Sequence, residues 1–179
     1  MLLSVFFSVL LLMLTPAQIA VIFQANEQVV GRGLAVLAAW ALLNLVVGGY
    51  LLARADRRYE PYYFQAMNVG WGLVNTALAG WGILQLRFSV PAGIGVADLF
   101  REQLLNENLF LLNAGLDVAY IMTGFYLRAL GAHPGRDKPE RMLGFGRSLW
   151  VQGGFLLVFD AVMWAWLHWQ GQAWLQQLA

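Results

Sequence analysis

Two acidic residues, Asp117 and Asp160, each sit in the middle of an apolar run of about the length that crosses a bilayer. An ionisable side chain at that depth is costly, so it normally faces a partner or a wet cavity and marks the place to look for function. Around the first, Asn113, Asp117, Tyr120 and Gly124 recur at helical spacing and share one helix face, opposite Leu, Val, Ile, Met and Phe. Such carboxyls can hold a proton, a cation or a small polar ligand. Enzymatic acid–base work would also need a second activating group within hydrogen-bond reach of one of them.

The elements that must carry these residues are transmembrane helices. The 179-residue chain is 60% hydrophobic and 12% charged, against roughly 25% charged in soluble domains, which makes a water-soluble fold untenable. Four segments approach the ~20 residues a bilayer needs, at 33–53, 63–86, 108–129 and 148–169. Eight Trp and six Tyr suit rings at two membrane interfaces. There is no Cys for disulfide or thiolate chemistry, and two separated histidines, His133 and His168, do not make a metal site. We therefore expect no metal and no cofactor. A net charge of +1 gives no case for nucleic acid as a partner.

Residues 1–23 carry no charge and read as an additional N-terminal hydrophobic helix, kinked or ended near Pro16, ahead of a four-span bundle over 24–179. A signal peptide, or a helix lying along the interface, is the alternative; the missing basic n-region argues against the former. The expected fold class is all-α, a four-helix transmembrane core plus this helix. Asp98 is placed to cap a helix running on into the third span. Eight Lys and Arg residues (Arg54, Arg57, Arg58, Arg128, Arg136, Lys138, Arg141, Arg147) flank the 54–62 and 130–147 connections, against Arg32, Arg87 and Arg101 on the other side. The positive-inside rule then makes those connections cytoplasmic and the C-terminus external. Gly48-Gly-Tyr-Leu and Gly124-Phe-Tyr-Leu, with Asn75 and Asp160 in matching surroundings, suggest a parallel duplication of two helical hairpins.

At ~1.5 Å per residue, Asn75, Asp117 and Asp160 lie about 18 Å in from the cytoplasmic ends of their spans, with Asn44 slightly lower. The expected polar cluster is Asn44, Asn75, Asn113, Asp117, Tyr120 and Asp160, with Asn75 and Tyr120 donating to the aspartates. The plainer interpretation is that the amides, Asn68 included, are interhelical glue. Two carboxylates close together in low dielectric cannot both ionise cheaply unless a cation lies between them. Replacing one by Leu is expected to strand its donors, at a cost of about 1–3 kcal/mol.

The pairing of Gly115-Leu-Asp117 with Phe159-Asp160 distantly resembles the catalytic aspartates of intramembrane aspartyl proteases. The order is reversed, the residue before Asp117 is not Gly, and no Pro-Ala-Leu element follows. No catalytic residue is assigned. The blocks Phe64-Gln-Ala-Met-Asn68-Val-Gly-Trp71-Gly-Leu-Val-Asn75, Asn113-Ala-Gly-Leu-Asp117-Val-Ala-Tyr120 and Gln152-Gly-Gly-Phe-Leu-Leu-Val-Phe-Asp160 resemble an uncharacterised family of small bacterial polytopic integral membrane proteins. That resemblance implies a helical protein of the bacterial inner membrane and no particular activity. Three functions stay open. The first is an accessory or structural subunit of a membrane assembly, with other membrane subunits or a second copy as partner besides the lipid bilayer. The second is binding or conduction of a proton, small cation or small polar ligand, and the third an intramembrane enzyme. A cavity reaching the aspartates would separate the second from the first.

Overall fold

The computed structural model describes residues 14–176, which are all-α, with four helices among the described residues. Helix α1 spans Pro16–Arg54, α2 Glu60–Gln85, α3 Val96–Gly131 and α4 Pro139–Gln176. Three of them, α1, α3 and α4, are long and apolar enough to cross a membrane, and the protein is an integral membrane protein. The expected span at 63–86 falls in α2, which is 26 residues long but less apolar, carrying Asn68, Asn75 and four glycines.

Pro16 opens α1. Thr15 accepts a hydrogen bond from the Gln18 backbone N–H at 3.3 Å, while the Gln18 side-chain oxygen accepts from the Thr15 N–H at 2.8 Å. This reciprocal cap leaves proline at the first helical positions, where its missing N–H is harmless. The helix then runs on through the first span, so the described part of the expected extra helix, Pro16–Phe23, is the start of α1. Residues 1–13 of that expected helix lie outside the described residues. Asp98 occupies the third position of α3, not its cap: Gly95 is the capping residue and donates its N–H to the Asp98 carboxylate at 2.9 Å.

Helix α4 is the axis on which the others pack. Glycines let backbones touch, the main device where lipid supplies no hydrophobic drive between helices. A Cβ on Gly146 of α4 would lie 2.7 Å from the Gly124 carbonyl of α3, and one on Gly144 would lie 2.7 Å from the Glu60 carbonyl of α2. Between α1 and α2, a Cβ on Gly72 would approach the Ala41 carbonyl to 3.2 Å. That contact sits beside a π-helical turn, Asn44–Gly48, in α1.

At the end of the bundle carrying the 86–95 segment, Ile22, Phe23, Val96, Leu99 and Trp174 form an apolar cluster beneath that segment. With 39 residues, α1 is ~58 Å long at 1.5 Å per residue, well over a ~30 Å hydrocarbon core. One pair of neighbours is missing. Helices α2 and α3 each pack on α4, but among the described residues their backbones do not approach one another.

Candidate functional site

The gap between α2 and α3 is a groove of about 600 Å³. Its walls are Trp71, Asn75, Leu78, Gly82 and Gln85 from α2 and Glu102, Leu105, Leu109, Asn113, Asp117 and Tyr120 from α3; α1 and α4 close its back. Nine residues of α3, from Glu102 to Tyr120, line its length, and that stretch of helix rises roughly 27 Å. Several of its lining residues, including Leu78, Trp81, Leu105 and Leu109, are also exposed on the outside of the bundle. The groove therefore opens sideways, toward the face that lipid covers.

Its inner end is polar. Asp117 and Asp160 are both buried, 2% and 4% exposed, and their carboxyls lie within hydrogen-bonding reach of each other. Gly153 makes that meeting possible: a Cβ there would come within 3.1 Å of the Asp117 carbonyl and 2.9 Å of Ile121, so only glycine lets α3 and α4 close beside the pair. Asn75, 1% exposed, and the half-buried Asn113 and Tyr120 complete this end, with the Tyr120 ring edge-on to Trp71 at 5.0 Å between centroids.

The expected donors do not reach the aspartates. Asn75 Nδ2 is buried and bonds nothing, and Asp117 Oδ2 receives no hydrogen bond from a protein donor. The indole N–H of Trp71, a third lining residue, is likewise buried without a partner. One acceptor and two donors among the groove's lining residues therefore have their hydrogen-bonding capacity unused. No Lys, Arg or His lines this end, so the titratable groups beside each carboxyl are the other carboxyl and Tyr120. Among the described residues no three His, Asp or Glu side chains gather as a metal-binding set.

Asn44 belongs elsewhere. It lies in a second polar cluster that spacing alone missed, centred on Gln152 of α4, a fully buried side chain. Gln152 Nε2 donates to Asn44 Oδ1 at 2.7 Å and to Asn68 Oδ1 at 3.0 Å, and Gln152 Oε1 accepts from the Trp40 indole at 2.9 Å. Ser148 donates to the same Asn68 oxygen at 2.6 Å, and Asn44 Nδ2 donates to the Trp40 carbonyl at 2.8 Å. The signal was present in the chain: Ser148, Gln152, Leu156 and Asp160 follow one another at four-residue steps on one face of α4.

The outer end of the groove is charged. Arg87 donates its backbone N–H to Glu27 at 2.7 Å and its guanidinium to Glu102 at 2.7 Å, beside the ring of Phe23. The Glu102 carboxylate, the main cause, and Glu27 raise the Arg87 pKa above its ordinary value despite partial desolvation.

The central residues match a family profile. Residues 36–161 fit the Family of unknown function (DUF6992). The chain belongs to this family. The match runs from the first span to one residue past Asp160, so it contains both polar clusters and leaves out Glu27 of the outer ion pairs. No curated protein and no solved structure matches the chain.

Proposed function

We propose that this protein binds a small ligand inside the membrane, at the Asp117–Asp160 pair. The observation that carries the proposal is the groove lined by two buried carboxyls together with a buried amide, Asn75, whose Nδ2 bonds neither of them. Purely structural aspartates would be sealed by donors, as the carbonyl oxygens of Asn44 and Asn68 are by Gln152. That sealed cluster is what supports the other reading, an accessory subunit held together by amides. It does not account for the groove. The site residues proposed are Asn75, Asn113, Asp117, Tyr120 and Asp160, with Asn44 assigned to the bundle's own packing.

We place four spans in the membrane, at 33–53, 63–86, 108–129 and 148–169, with the outer parts of α1, α3 and α4 standing beyond it. Helix α2 joins them because its amides and glycines turn toward α1 and α4, where Asn68, Gly72, Asn75 and Ala79 are buried. The basic 54–62 and 130–147 connections face the cytoplasm, and the two hairpins, α1–α2 and α3–α4, are copies in the same orientation.

A lipid-soluble carbodiimide tests the site. Added to protein in its membrane, it should modify Asp117 or Asp160, read as a mass shift on the corresponding peptide. Neither residue reacting, while exposed carboxyls do, would mean a sealed pair and an accessory role.

A further inference from the structure

A proton or a metal ion has no use for a leucine-lined groove of about 600 Å³. We infer that the groove takes an elongated, mostly apolar molecule with one small head, a hydroxyl or an amine, which enters from the lipid between α2 and α3 and sets its head on Asn75 and Asp117. This rests on the proposal above that the carboxyl pair is a ligand site, and it adds the ligand's chemical class and route.

Three features fix the class. The inner end offers an unpaired acceptor, Asp117 Oδ2, and an unpaired donor, Asn75 Nδ2, so the head must give a hydrogen bond to Asp117, and one that also accepts engages Asn75 as well. An alcohol does both. A carboxylate head would set a third acidic group beside Asp117 and Asp160, and a pure hydrocarbon would leave every polar atom there unpaired. The middle of the groove, around Leu34, Leu78, Leu109 and Phe110, offers only apolar contact and suits the body of the molecule. Bulky or multiply charged heads are excluded by route, because the lateral opening is rimmed by exposed Leu78 and Leu109 and crossing it means crossing hydrocarbon.

The route follows from the packing. The outer mouth is spanned by Arg87 held between Glu27 and Glu102, whereas no backbone contact closes α2 onto α3 along the groove's flank among the described residues.

The test is protection from the carbodiimide in reconstituted vesicles of neutral phosphatidylcholine. Dodecanol or dodecylamine should slow modification of Asp117 and Asp160 by about tenfold, the ratio one hydrogen bond to a charged group supplies. Dodecane, dodecanoate and ethanolamine should not. In Asn75→Leu, whose amide bonds nothing and whose loss leaves both carboxyls in place, modification without probe should persist and protection by dodecanol should disappear. Modification with no protection by either long-chain probe overturns the amphiphile and leaves the site standing. Protection by ethanolamine or sodium ions as strong as that by dodecanol replaces it with a small polar ligand. Modification that appears only after purification from native membranes, and that a lipid extract of those membranes does not suppress, means another protein fills the groove, and overturns it too. No modification under any condition removes the site itself.

Discussion

Gln152 and Asp160 lie two turns apart on one face of α4, both buried, yet they sit in opposite kinds of surroundings. Around Gln152, the amide groups of three helices interlock: its own side chain meets Asn44 and Trp40 of α1 and Asn68 of α2. Around Asp160 no amide is engaged: its neighbour is another carboxyl, and the buried Asn75 Nδ2 in the same groove bonds nothing. The first arrangement spends its polar groups on holding helices together, which is what amides do well in lipid. The second leaves them unspent beside an open groove. Two polar clusters at neighbouring depths thus divide into one that fastens the bundle and one free to meet something else.

Gln152→Leu is the strongest attempt to break this contrast. It strands Asn44 Oδ1 and the Trp40 indole N–H, each a buried group losing its partner, so the expected loss is about 2–5 kcal/mol. Reversible unfolding in detergent micelles measures it. Carbodiimide modification of Asp117 in whatever fraction stays folded should be unchanged. A loss below about 1 kcal/mol would mean the cluster does not fasten the bundle.

Gly153→Ala comes next and links the two regions, since Gly153 adjoins Gln152 in sequence and Asp117 in space. The added methyl must displace Ile121 or the Asp117 backbone, from which it would stand 2.9 and 3.1 Å. Overpacking of this kind costs about 1–3 kcal/mol. Spreading α3 from α4 should also separate the carboxyls, visible as faster carbodiimide modification alongside the lowered melting temperature. Lower stability with an unchanged modification rate would detach the carboxyl pair from the α3–α4 packing.

The helices and the meeting of Asp117 with Asp160 were legible in the chain, because apolar run lengths set the spans and equal depth on two antiparallel neighbours brings the side chains together. The stripe Asn68, Gly72, Asn75 and Ala79, at steps of four, three and four residues along α2, is buried. Gln152 and Ser148 escaped notice because they lie nearer the basic end, where polar residues are ordinary and give no contrast. Thr15 and Gln18 mark Pro16 as the start of α1, a capping signal readable in the chain beside the proline. The groove had no signature at all. It follows from α2 and α3 each preferring α4 to one another, which depends on glycine contacts at Gly144, Gly146 and Gly153 that only three-dimensional packing ranks.

Arg87→Gln probes the outer end, with a smaller effect. The Arg87 side chain is 43% exposed, so loss of its pairs with Glu27 and Glu102 should cost no more than about 1 kcal/mol. Because the folded pKa of Arg87 is raised above its ordinary value, its contribution is fully present below that ordinary value and fades only at more alkaline pH. Its proton therefore introduces no pH dependence between pH 5 and 9. Salt is the lever: about 1 M salt shortens the screening length to ~3 Å and should narrow the difference between Arg87→Gln and the parent. A difference in melting temperature that ignores salt would assign Arg87 to packing against Phe23, not to charge.

The smallest expected change is the one that separates the two clusters most cleanly. Sequence spacing alone implied that Leu at either aspartate would strand its donors, but no donor is engaged: Asn75 Nδ2 bonds nothing and Asp117 Oδ2 receives nothing. The only partner each carboxyl would leave behind is the other. The single substitutions Asp117→Leu and Asp160→Leu should therefore each cost about 1–2 kcal/mol, by leaving one carboxyl alone in low dielectric. Removing both at once exchanges a buried polar pair for two packed leucines, which is characteristically neutral or stabilising. The double variant Asp117→Leu/Asp160→Leu should then lie within about 1 kcal/mol of the parent, a non-additivity that a double-mutant cycle reads directly. The matching double Asn44→Leu/Gln152→Leu should not recover in this way, because it still deprives the Trp40 indole of its acceptor. If the aspartate double variant instead loses the sum of its singles, the pair is fastened to donors after all and both clusters serve the bundle alike.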